Sequence, residues 1–141
     1  CGNKNGKHAL IFIDFDNFKH VNDTYGHLVG DRILTYVIGI IKSVLIEGEI
    51  IGRIGGDEFV VFIGYINGDE DIKRKADTIV EALDTTYEDD KCSVKITGSI
   101  GIALYPDDGV HYEQLLQSAD KALYCVKNKG KNDYMLYKSI T

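Results

Sequence analysis

The chain has 141 residues, of which 44% are hydrophobic, and this size and composition fit one globular domain with a sizeable core. Its formal net charge of −6 argues against a nucleic-acid or membrane-surface protein, because phosphate backbones and anionic lipids attract a basic face. The three cysteines are an odd number without C-x-x-C spacing, so they indicate neither a disulfide framework nor a zinc site and fit a reducing cytosol.

The first predicted elements are a strand and a helix. Residues 1–7 are polar and are expected to form a loop, and without an initiator methionine the chain is expected to be a piece of a longer protein. The apolar run His8–Ile13 predicts a strand buried on both faces, which ends at the carboxylates of Asp14 and Asp16. After a polar turn, apolar residues at helical spacing predict a helix from about Leu28 to Leu45.

Two β-branched runs on either side of Gly55-Gly56 predict a hairpin. Both central residues of a tight type I′ turn need a positive φ, which glycine adopts without a Cβ clash. Asp57 and Glu58 then sit at the hairpin tip, where two adjacent carboxylates have no structural role and repel each other. A bound cation would relieve this repulsion.

The second half of the chain predicts two more helices and two more strands. Asp69 is expected to cap a helix with a core stripe of Ala76, Ile79, Val80 and Leu83. Residues 94–104 are expected to alternate as one strand that stops before a proline. The last helix is expected to end at Gly130 and to carry Cys125 as a small core residue. Its inward face is predicted to hold six residues: Tyr112, Leu115, Leu116, Ala119, Leu123 and Val126. Residues 134–137 are expected to form a closing strand.

The order strand, helix, hairpin, helix, strand predicts an α+β fold with a ferredoxin-like βαββαβ antiparallel sheet, to which an extra helix and a terminal strand are added. In this topology the first and third strands are antiparallel neighbours, so Asp14 comes next to Asp57. Carboxylates that converge at a sheet edge are hard oxygen ligands suited to Mg²⁺ or Mn²⁺. They indicate two-metal chemistry of the polymerase type.

Four sequence blocks occur in order along the chain. They are DFDNFKHVNDTYGH at residues 14–27 followed by Gly30-Asp31, RIGGDEF at 53–59, SIGIA at 99–103, and ADKALY at 119–124 followed by Lys127 and Gly130-Lys131. In this order and spacing the blocks resemble the GGDEF-domain diguanylate cyclases, over residues 8–137. The resemblance implies one domain over residues 1–141, of the nucleotide cyclase and polymerase palm type, that condenses two GTP into cyclic di-GMP with release of two pyrophosphates.

The resemblance also implies a metal site. Asp14, the backbone carbonyl of Phe15 and Asp57 would hold two Mg²⁺ or Mn²⁺ ions in each active site. Asp57 is the implied proton acceptor, and Glu58 would assist at the metals or at the incoming hydroxyl.

The implied phosphate contacts come from two segments. The turn that contains Phe18 and Lys19 would offer backbone N–H groups to the β- and γ-phosphates. Lys127 and Lys131, spaced i, i+4 at the end of the last helix, match the triphosphate clamp of the family. Their spacing fits a favourable interaction with the helix C-terminus nearly as well. Where the family often has arginine, Lys131 cannot form the bidentate fork.

Guanine recognition is implied for Asn22 and Asp31. A carboxylate accepts from N1–H and N2–H₂ of guanine together, whereas adenine presents an acceptor at N1. His27, one helical turn before Asp31, is a further implied substrate contact, with a structural hydrogen-bonding histidine as the alternative. The inhibitory product site is expected to be absent, because Ile46 and Glu49 stand where the family carries Arg-x-x-Asp.

The implied partners follow from the reaction. Each domain would bind one GTP, so catalysis needs a homodimer with opposed sites. The full-length protein is expected to have an upstream sensor domain or dimerising segment, and a downstream phosphodiesterase domain is also common in the family. The domain is expected to be cytoplasmic or the cytoplasmic part of a membrane-anchored protein. Neither nucleic acid nor direct membrane contact is expected. The alternatives are a catalytically silent GTP-binding regulatory module and a cyclase that joins other nucleotide pairs.

Overall fold

The structure is a computed structural model that describes residues 7–140. Its elements in chain order are β1 (Lys7–Phe15), α1 (Phe18–Tyr25), α2 (His27–Val44), β2 (Ile50–Gly55), β3 (Glu58–Ile66), α3 (Asp69–Leu83), β4 (Thr85–Glu88), β5 (Ser93–Ile96), β6 (Gly98–Tyr105), α4 (Tyr112–Asn128), β7 (Tyr134–Leu136) and a 3₁₀ turn (Tyr137–Ser139). The loop expected for residues 1–7 lies outside the described residues except for Lys7, which already belongs to β1.

Five strands form the main sheet, in the order β2-β3-β1-β6-β7. β1 lies between β3 and β6 and is antiparallel to both, as the ferredoxin-like prediction requires. The terminal strand β7 adds to the edge of β6 in parallel, so the sheet is mixed there rather than wholly antiparallel. β4 and β5 form a separate two-stranded sheet. The predicted α+β class and sheet order are thus confirmed.

Helices cover both faces of the sheet, which explains why the middle of β1, Ala9–Ile13, is apolar without interruption. Ala9, Ile11 and Ile13 pack in the core formed with α1, α2 and α3, whereas Leu10 and Phe12 pack in a second core under α4. Successive residues of a strand point to opposite faces, so a strand with helices on both sides has no polar position. No helix within residues 7–140 is long and apolar enough to cross a membrane.

The prediction of a polar turn after Asp16 is wrong, because this segment contains the helix α1 (Phe18–Tyr25). The helix is only eight residues long and buries two side chains, Phe18 and Val21. Two apolar residues three positions apart are too few to establish a helical period from sequence.

The hairpin exists, but its turn lies one residue later than predicted. Gly55 pairs with Glu58 at the end of the ladder, so the two central residues are Gly56 and Asp57. Only Gly56 has a positive φ, of 50°, whereas a type I′ turn requires a positive φ at both central residues. The Arg53 guanidinium fixes this tip by donating to the Gly56 carbonyl from Nε at 3.1 Å and from Nη2 at 2.8 Å.

The single strand predicted over residues 94–104 is two strands in different sheets. β5 pairs with β4, and after Thr97 the chain joins the main sheet as β6. Every residue of β6 except Tyr105 is buried, so the expected alternation is absent. α4 packs closely on this strand, because a Cβ on Gly101 would lie 2.0 Å from the Ala119 carbonyl oxygen.

The ends of α3 and α4 and the inward face of α4 differ in part from the prediction. Gly68, not Asp69, is the N-cap of α3, and Asp69 is its first residue. Tyr112, the first residue of α4, is exposed rather than inward, and its ring lies 6.0 Å from that of Phe62, which is also exposed. Cys125 is half-buried rather than a core residue. Gly130 is the C′ residue as predicted, with φ 121°.

Candidate active site

The end of β1 and the β2–β3 turn bring the carboxyl groups of Asp14 and Asp57 into contact, with Glu58 next to them in the chain. Asp14 lies directly opposite Glu58 in the β1–β3 ladder, so both side chains point to the same side of the sheet. Asp57 immediately precedes Glu58 in the turn, and its carboxyl interacts with that of Asp14. The predicted proximity of Asp14 and Asp57 is therefore confirmed, and Glu58 is the residue paired with Asp14 in the ladder.

The surroundings of Asp14 disfavour its charged form. Burial, followed by the interaction with Asp57, raises the pKa of Asp14 to about 7, although the nearby Lys127 ammonium acts in the opposite direction. Oδ1 of Asp14 is buried and has no hydrogen-bond partner among the described residues. Burial and the charge of Asp57 also raise the pKa of Glu58. Such a cluster gains stability from any cation that enters it.

Lys127 of α4 supplies the cation within this cluster. Its Nζ lies 3.3 Å from Oδ2 of Asp14 and 2.8 Å from Oδ1 of Asp16. Burial alone would raise the pKa of Asp16, but hydrogen bonds from Lys127, Ser99 and Thr97 hold it below its usual value. The sequence reasoning assigned no role to Asp16; its place in the D-x-D of the first block was the available signal.

The two residues proposed to face phosphates occupy the first turn of α1. The Phe18 side chain is buried in the core, so only its backbone N–H can serve a ligand, whereas the Lys19 side chain is exposed. The first N–H in this helix that bonds back to its start is that of Val21, which donates to the Asn17 carbonyl at 3.2 Å. The N–H groups of Phe18 and Lys19 have no intrahelical acceptor and remain open to an anion.

Lys131 was predicted to lie on the last helix, α4, but it lies in the segment that follows this helix. α4 ends at Asn128, and the Lys131 amide donates to the Val126 carbonyl at 3.0 Å, a bond that closes the helix end. The i, i+4 spacing with Lys127 therefore does not place both lysines on one helix face. Nζ of Lys131 donates to Oδ1 of Asn17 at 2.8 Å, just before α1. Both lysines thus lie near the segment between β1 and α1.

The residues proposed for guanine form a second group on α1 and α2. Asn22 is half-buried on α1, and its side chain packs against Gly30 so closely that a Cβ there would lie 1.9 Å from the Asn22 Oδ1. Asp31 follows Gly30 and is exposed, as is His27 at the start of α2. The structure thus places Asn22 against Gly30, the residue before Asp31. His27 lies four residues before Asp31 on the same helix.

The segment that would carry an inhibitory product site is occupied by structural contacts. Glu49 is almost fully buried, pairs with Lys75 at 2.9 Å and accepts from the Ile46 amide at 2.9 Å. The Ile46 side chain is exposed. A carboxylate committed to a buried ion pair is not free to bind a ligand at the surface.

The carboxylate oxygens of Asp14 and Asp57 suit a hard divalent cation better than a transition metal. Within residues 7–140 no three His, Cys, Asp or Glu side chains gather as a metal cage. Mg²⁺ typically takes one or two carboxylates and completes its shell with waters and phosphate oxygens. The unpartnered Oδ1 of Asp14, beside Asp57, offers that kind of partial site. A groove of about 690 Å³, with Asp14, Glu58 and Lys127 in its lining, gives access to it.

The fold and the site define an α+β domain with a carboxylate centre at one end of a ferredoxin-like sheet. The family model described as "Diguanylate cyclase, GGDEF domain" matches residues 1–133. The chain therefore belongs to the GGDEF domain family of diguanylate cyclases. Members of this family generally use divalent metal ions.

Individual relatives show the same similarity. MucR of Pseudomonas aeruginosa, described as a bifunctional diguanylate cyclase/cyclic di-GMP phosphodiesterase, is 40% identical over 131 residues, which cover 93% of this chain and 19% of MucR. The cyclic di-GMP phosphodiesterase PdeR of Escherichia coli is 34% identical over 94% of this chain and 20% of PdeR. The GGDEF domain of TpbB from P. aeruginosa superimposes with a TM-score of 0.90 at 34% identity, covering 94% of this chain and 83% of that one. The chain spans about a fifth of the length of MucR and of PdeR.

Proposed function

We propose that residues 1–141 form a single diguanylate cyclase domain, which condenses two GTP molecules into cyclic di-GMP and releases two pyrophosphates. The observation that carries the proposal is the buried, unpartnered Oδ1 of Asp14 beside Asp57, a carboxylate pair that is unfavourable without a cation. Family membership and the lysines at the neighbouring turn support the same reaction.

The proposed metal site consists of Asp14, the Phe15 carbonyl and Asp57, with two Mg²⁺ or Mn²⁺ ions in each active site. When bound, these ions lower the pKa of the attacking hydroxyl and neutralise charge on the phosphates. Asp57 accepts the proton of the 3′-hydroxyl, whose oxygen forms the new bond to the α-phosphorus of the other GTP while the bond to pyrophosphate breaks. Glu58, opposite Asp14 in the ladder, assists at the same place.

The remaining residues bind and orient the nucleotide. The N–H groups of Phe18 and Lys19 and the ammonium groups of Lys127 and Lys131 bind the triphosphate and stabilise the departing pyrophosphate. In the second group on α1 and α2, guanine is bound by Asn22 and Asp31, with His27 as a further contact. Asp31 supports guanine in both halves of the product.

Two opposed domains are needed, because each contributes one nucleotide and each bond joins nucleotides held by different domains. We therefore propose a homodimer as the active species. The neighbouring domains that we propose for the whole protein are an upstream sensor and a downstream phosphodiesterase, the second supported by the two-activity description of MucR. A cytoplasmic location of the domain follows from its use of GTP. Product feedback through Ile46 and Glu49 is proposed to be absent.

A catalytically silent GTP-binding module is the second candidate, favoured by the similarity to PdeR, which is described as a phosphodiesterase. The two candidates differ in turnover and agree in binding. Purified domain is incubated with GTP and Mg²⁺, and the products are separated by chromatography, with Asp57→Asn as the control. Cyclic di-GMP that requires Asp57 supports the cyclase, whereas GTP binding without any cyclic di-GMP supports the silent module.

A further inference from the structure

The carboxylate of Asp16 is the most heavily hydrogen-bonded side chain near the proposed phosphate site. Its side chain is 1% exposed, and both of its oxygens are occupied. Oδ1 accepts from Lys127 Nζ at 2.8 Å and from Ser99 Oγ at 2.6 Å. Oδ2 accepts from Thr97 Oγ1 at 2.6 Å and from the backbone N–H of Asn132 at 3.1 Å. A carboxylate with four donors is held in one orientation and has little capacity left for a metal ion.

The first lysine of the proposed clamp is bound to Asp16 directly. Lys127 lies closer to Asp16 than to Asp14, at 2.8 Å against 3.3 Å. The stem of Lys127 can adopt many rotamers, and a partner on a buried, fixed carboxylate selects one of them. Asp16 thus keeps the ammonium beside Oδ2 of Asp14.

The second lysine is connected to Asp16 through the backbone. Lys131 and Asn132 are consecutive residues with φ of 65° and 51°, a left-handed conformation that residues with a Cβ adopt only when other contacts hold it. The Asn132 amide supplies such contacts, because it donates to Asp16 Oδ2 and, at 3.2 Å, to Ser99 Oγ. In this conformation Nζ of Lys131 reaches Oδ1 of Asn17.

We propose that Asp16 is a positioning residue that sets both phosphate-binding lysines, Lys127 through an ion pair and Lys131 through the adjacent Asn132 amide. This inference rests on the proposed function, since it assigns Asp16 a role in GTP binding. Asp16 touches neither substrate nor metal in this account, and its effect is transmitted through the two lysines.

The test is a double-mutant cycle on nucleotide affinity. The ligand is 3′-deoxy-GTP with Mg²⁺, which lacks the attacking hydroxyl and cannot be turned over, and its affinity is measured by isothermal titration calorimetry. Asn in place of Asp16 has nearly the same shape but carries no charge and turns an NH₂ group toward donors. We expect Asp16→Asn to weaken binding about tenfold or more, comparable to the loss of a charge-assisted hydrogen bond.

The cycle is completed by Lys127→Met and by the double variant. If Asp16 acts through both lysines, the double variant loses less affinity than the sum of the two single losses. The loss that Asp16→Asn still causes in the Lys127→Met background is the part transmitted through Lys131. Fully additive losses overturn the inference. An unchanged affinity of Asp16→Asn also overturns it. If the wild-type domain does not bind 3′-deoxy-GTP at all, the proposed function itself fails. If the wild type binds it and Asp16→Asn binds it equally well, only this inference fails, so the two failures are distinguishable.

A second variant keeps the inference falsifiable should Asp16→Asn fail to fold, which circular dichroism would show. Ser99→Ala removes one donor from the same oxygen that accepts from Lys127 and leaves the carboxylate charged. We expect a smaller loss of affinity, about two- to fivefold, that is reduced in the Lys127→Met background. Part of it remains there, because Ser99 Oγ also accepts from the Asn132 amide next to Lys131. No loss, or a loss of the same size in both backgrounds, would overturn the inference.

Discussion

The ammonium nitrogen of Lys127 lies 3.3 Å from Oδ2 of Asp14, yet the pKa of Asp14 is raised to about 7. Burial of the carboxyl and its contact with Asp57 outweigh the attraction of the lysine. Without a divalent cation, Asp14 is therefore protonated in a large fraction of molecules near neutral pH. A metal ion that binds Asp14 competes with this proton.

Metal affinity is accordingly expected to depend on pH. Because the ion binds the deprotonated carboxylate, the apparent affinity for Mn²⁺ should rise by up to about tenfold per pH unit below pH 7 and level off above it. Electron paramagnetic resonance of free Mn²⁺ measures this between pH 5.5 and pH 8. The Asp14→Asn domain serves as the control and should bind weakly at every pH. Equal affinity of the wild type at pH 6 and pH 8 would contradict the account.

The stability of the metal-free domain should change with pH in the opposite sense. A folded-state pKa above the unfolded value means that the folded protein binds more protons, so the contribution of Asp14 is favourable below about pH 4 and is lost as pH rises through about 7. Asp14→Asn removes this loss, because the amide carries no charge and Lys127 keeps its partner Asp16. We expect the variant to be more stable than the wild type at pH 8, by about 1–3 kcal/mol.

Urea denaturation in EDTA measures this difference. At pH 8 the denaturation midpoint of Asp14→Asn should exceed that of the wild type, and at pH 4.5 the gap should narrow. A variant that is less stable than the wild type at pH 8 would show that the attraction of Lys127 outweighs burial and the contact with Asp57, contrary to the raised pKa of Asp14.

Gly30→Ala is expected to disturb the proposed guanine group. The new Cβ would lie 1.9 Å from Oδ1 of Asn22, so the Asn22 side chain must leave its position. Overpacking of this kind costs about 1–3 kcal/mol. Gly39→Ala is the matched control on the same helix, because its Cβ meets nothing within 4 Å and alanine favours the helix by about 0.5–1 kcal/mol. Urea denaturation should show a lower free energy of unfolding for Gly30→Ala and a higher one for Gly39→Ala. A change in the same direction for both variants would contradict this packing.

The ion pair between Glu49 and Lys75 should contribute to stability far more than a surface pair does. Its side chains are 6% and 19% exposed, so Lys75→Met leaves a buried charge unpaired and should cost about 3 kcal/mol or more. Arg74→Met breaks an exposed pair with Asp71 on the same helix and should cost less than about 1 kcal/mol. Thermal denaturation of both variants measures the difference, and similar losses would contradict the assignment.

The same burial bears on product inhibition. Because Glu49 is committed to Lys75 and to the Ile46 amide, cyclic di-GMP should not bind at this segment. Titration calorimetry with cyclic di-GMP on the wild type and on Ile46→Ala measures it. Binding to the wild type that is lost in Ile46→Ala would contradict the prediction.

The elements that could be predicted from sequence are those with a clear local periodicity and those that carry one of the four sequence blocks. β1 contains a continuous apolar run, α2 has a long apolar stripe, and the hairpin is marked by two glycines. The order of these elements predicted the sheet topology, and this topology placed Asp14 next to Asp57. The eight residues of α1 were missed because two buried side chains, Phe18 and Val21, do not make a period. β5 and β6 were predicted as one strand, because the chain changes sheets at Thr97 through tertiary contacts that leave no signal in the local sequence.

The role of Asp16 could not be predicted for the same reason. Its donors are supplied by residues 81 to 116 positions away in sequence, and they converge only when β6, α4 and the segment before β7 are in place. Spacing within the first block shows two acidic residues and does not show which of them is saturated by hydrogen bonds. The left-handed residues Lys131 and Asn132, which bring a lysine off the helix and onto the β1–α1 segment, are likewise a product of these contacts.

The central claim is that two copies of this domain join two GTP molecules, and the most direct measurement is the rate of cyclic di-GMP formation at saturating GTP and Mg²⁺ as the protein concentration is varied. The account predicts that cyclic di-GMP forms with two pyrophosphates released per molecule, and that the rate per mole of protein rises with protein concentration as dimers form. Formation of no cyclic di-GMP at any concentration, by protein shown to bind 3′-deoxy-GTP, would contradict it.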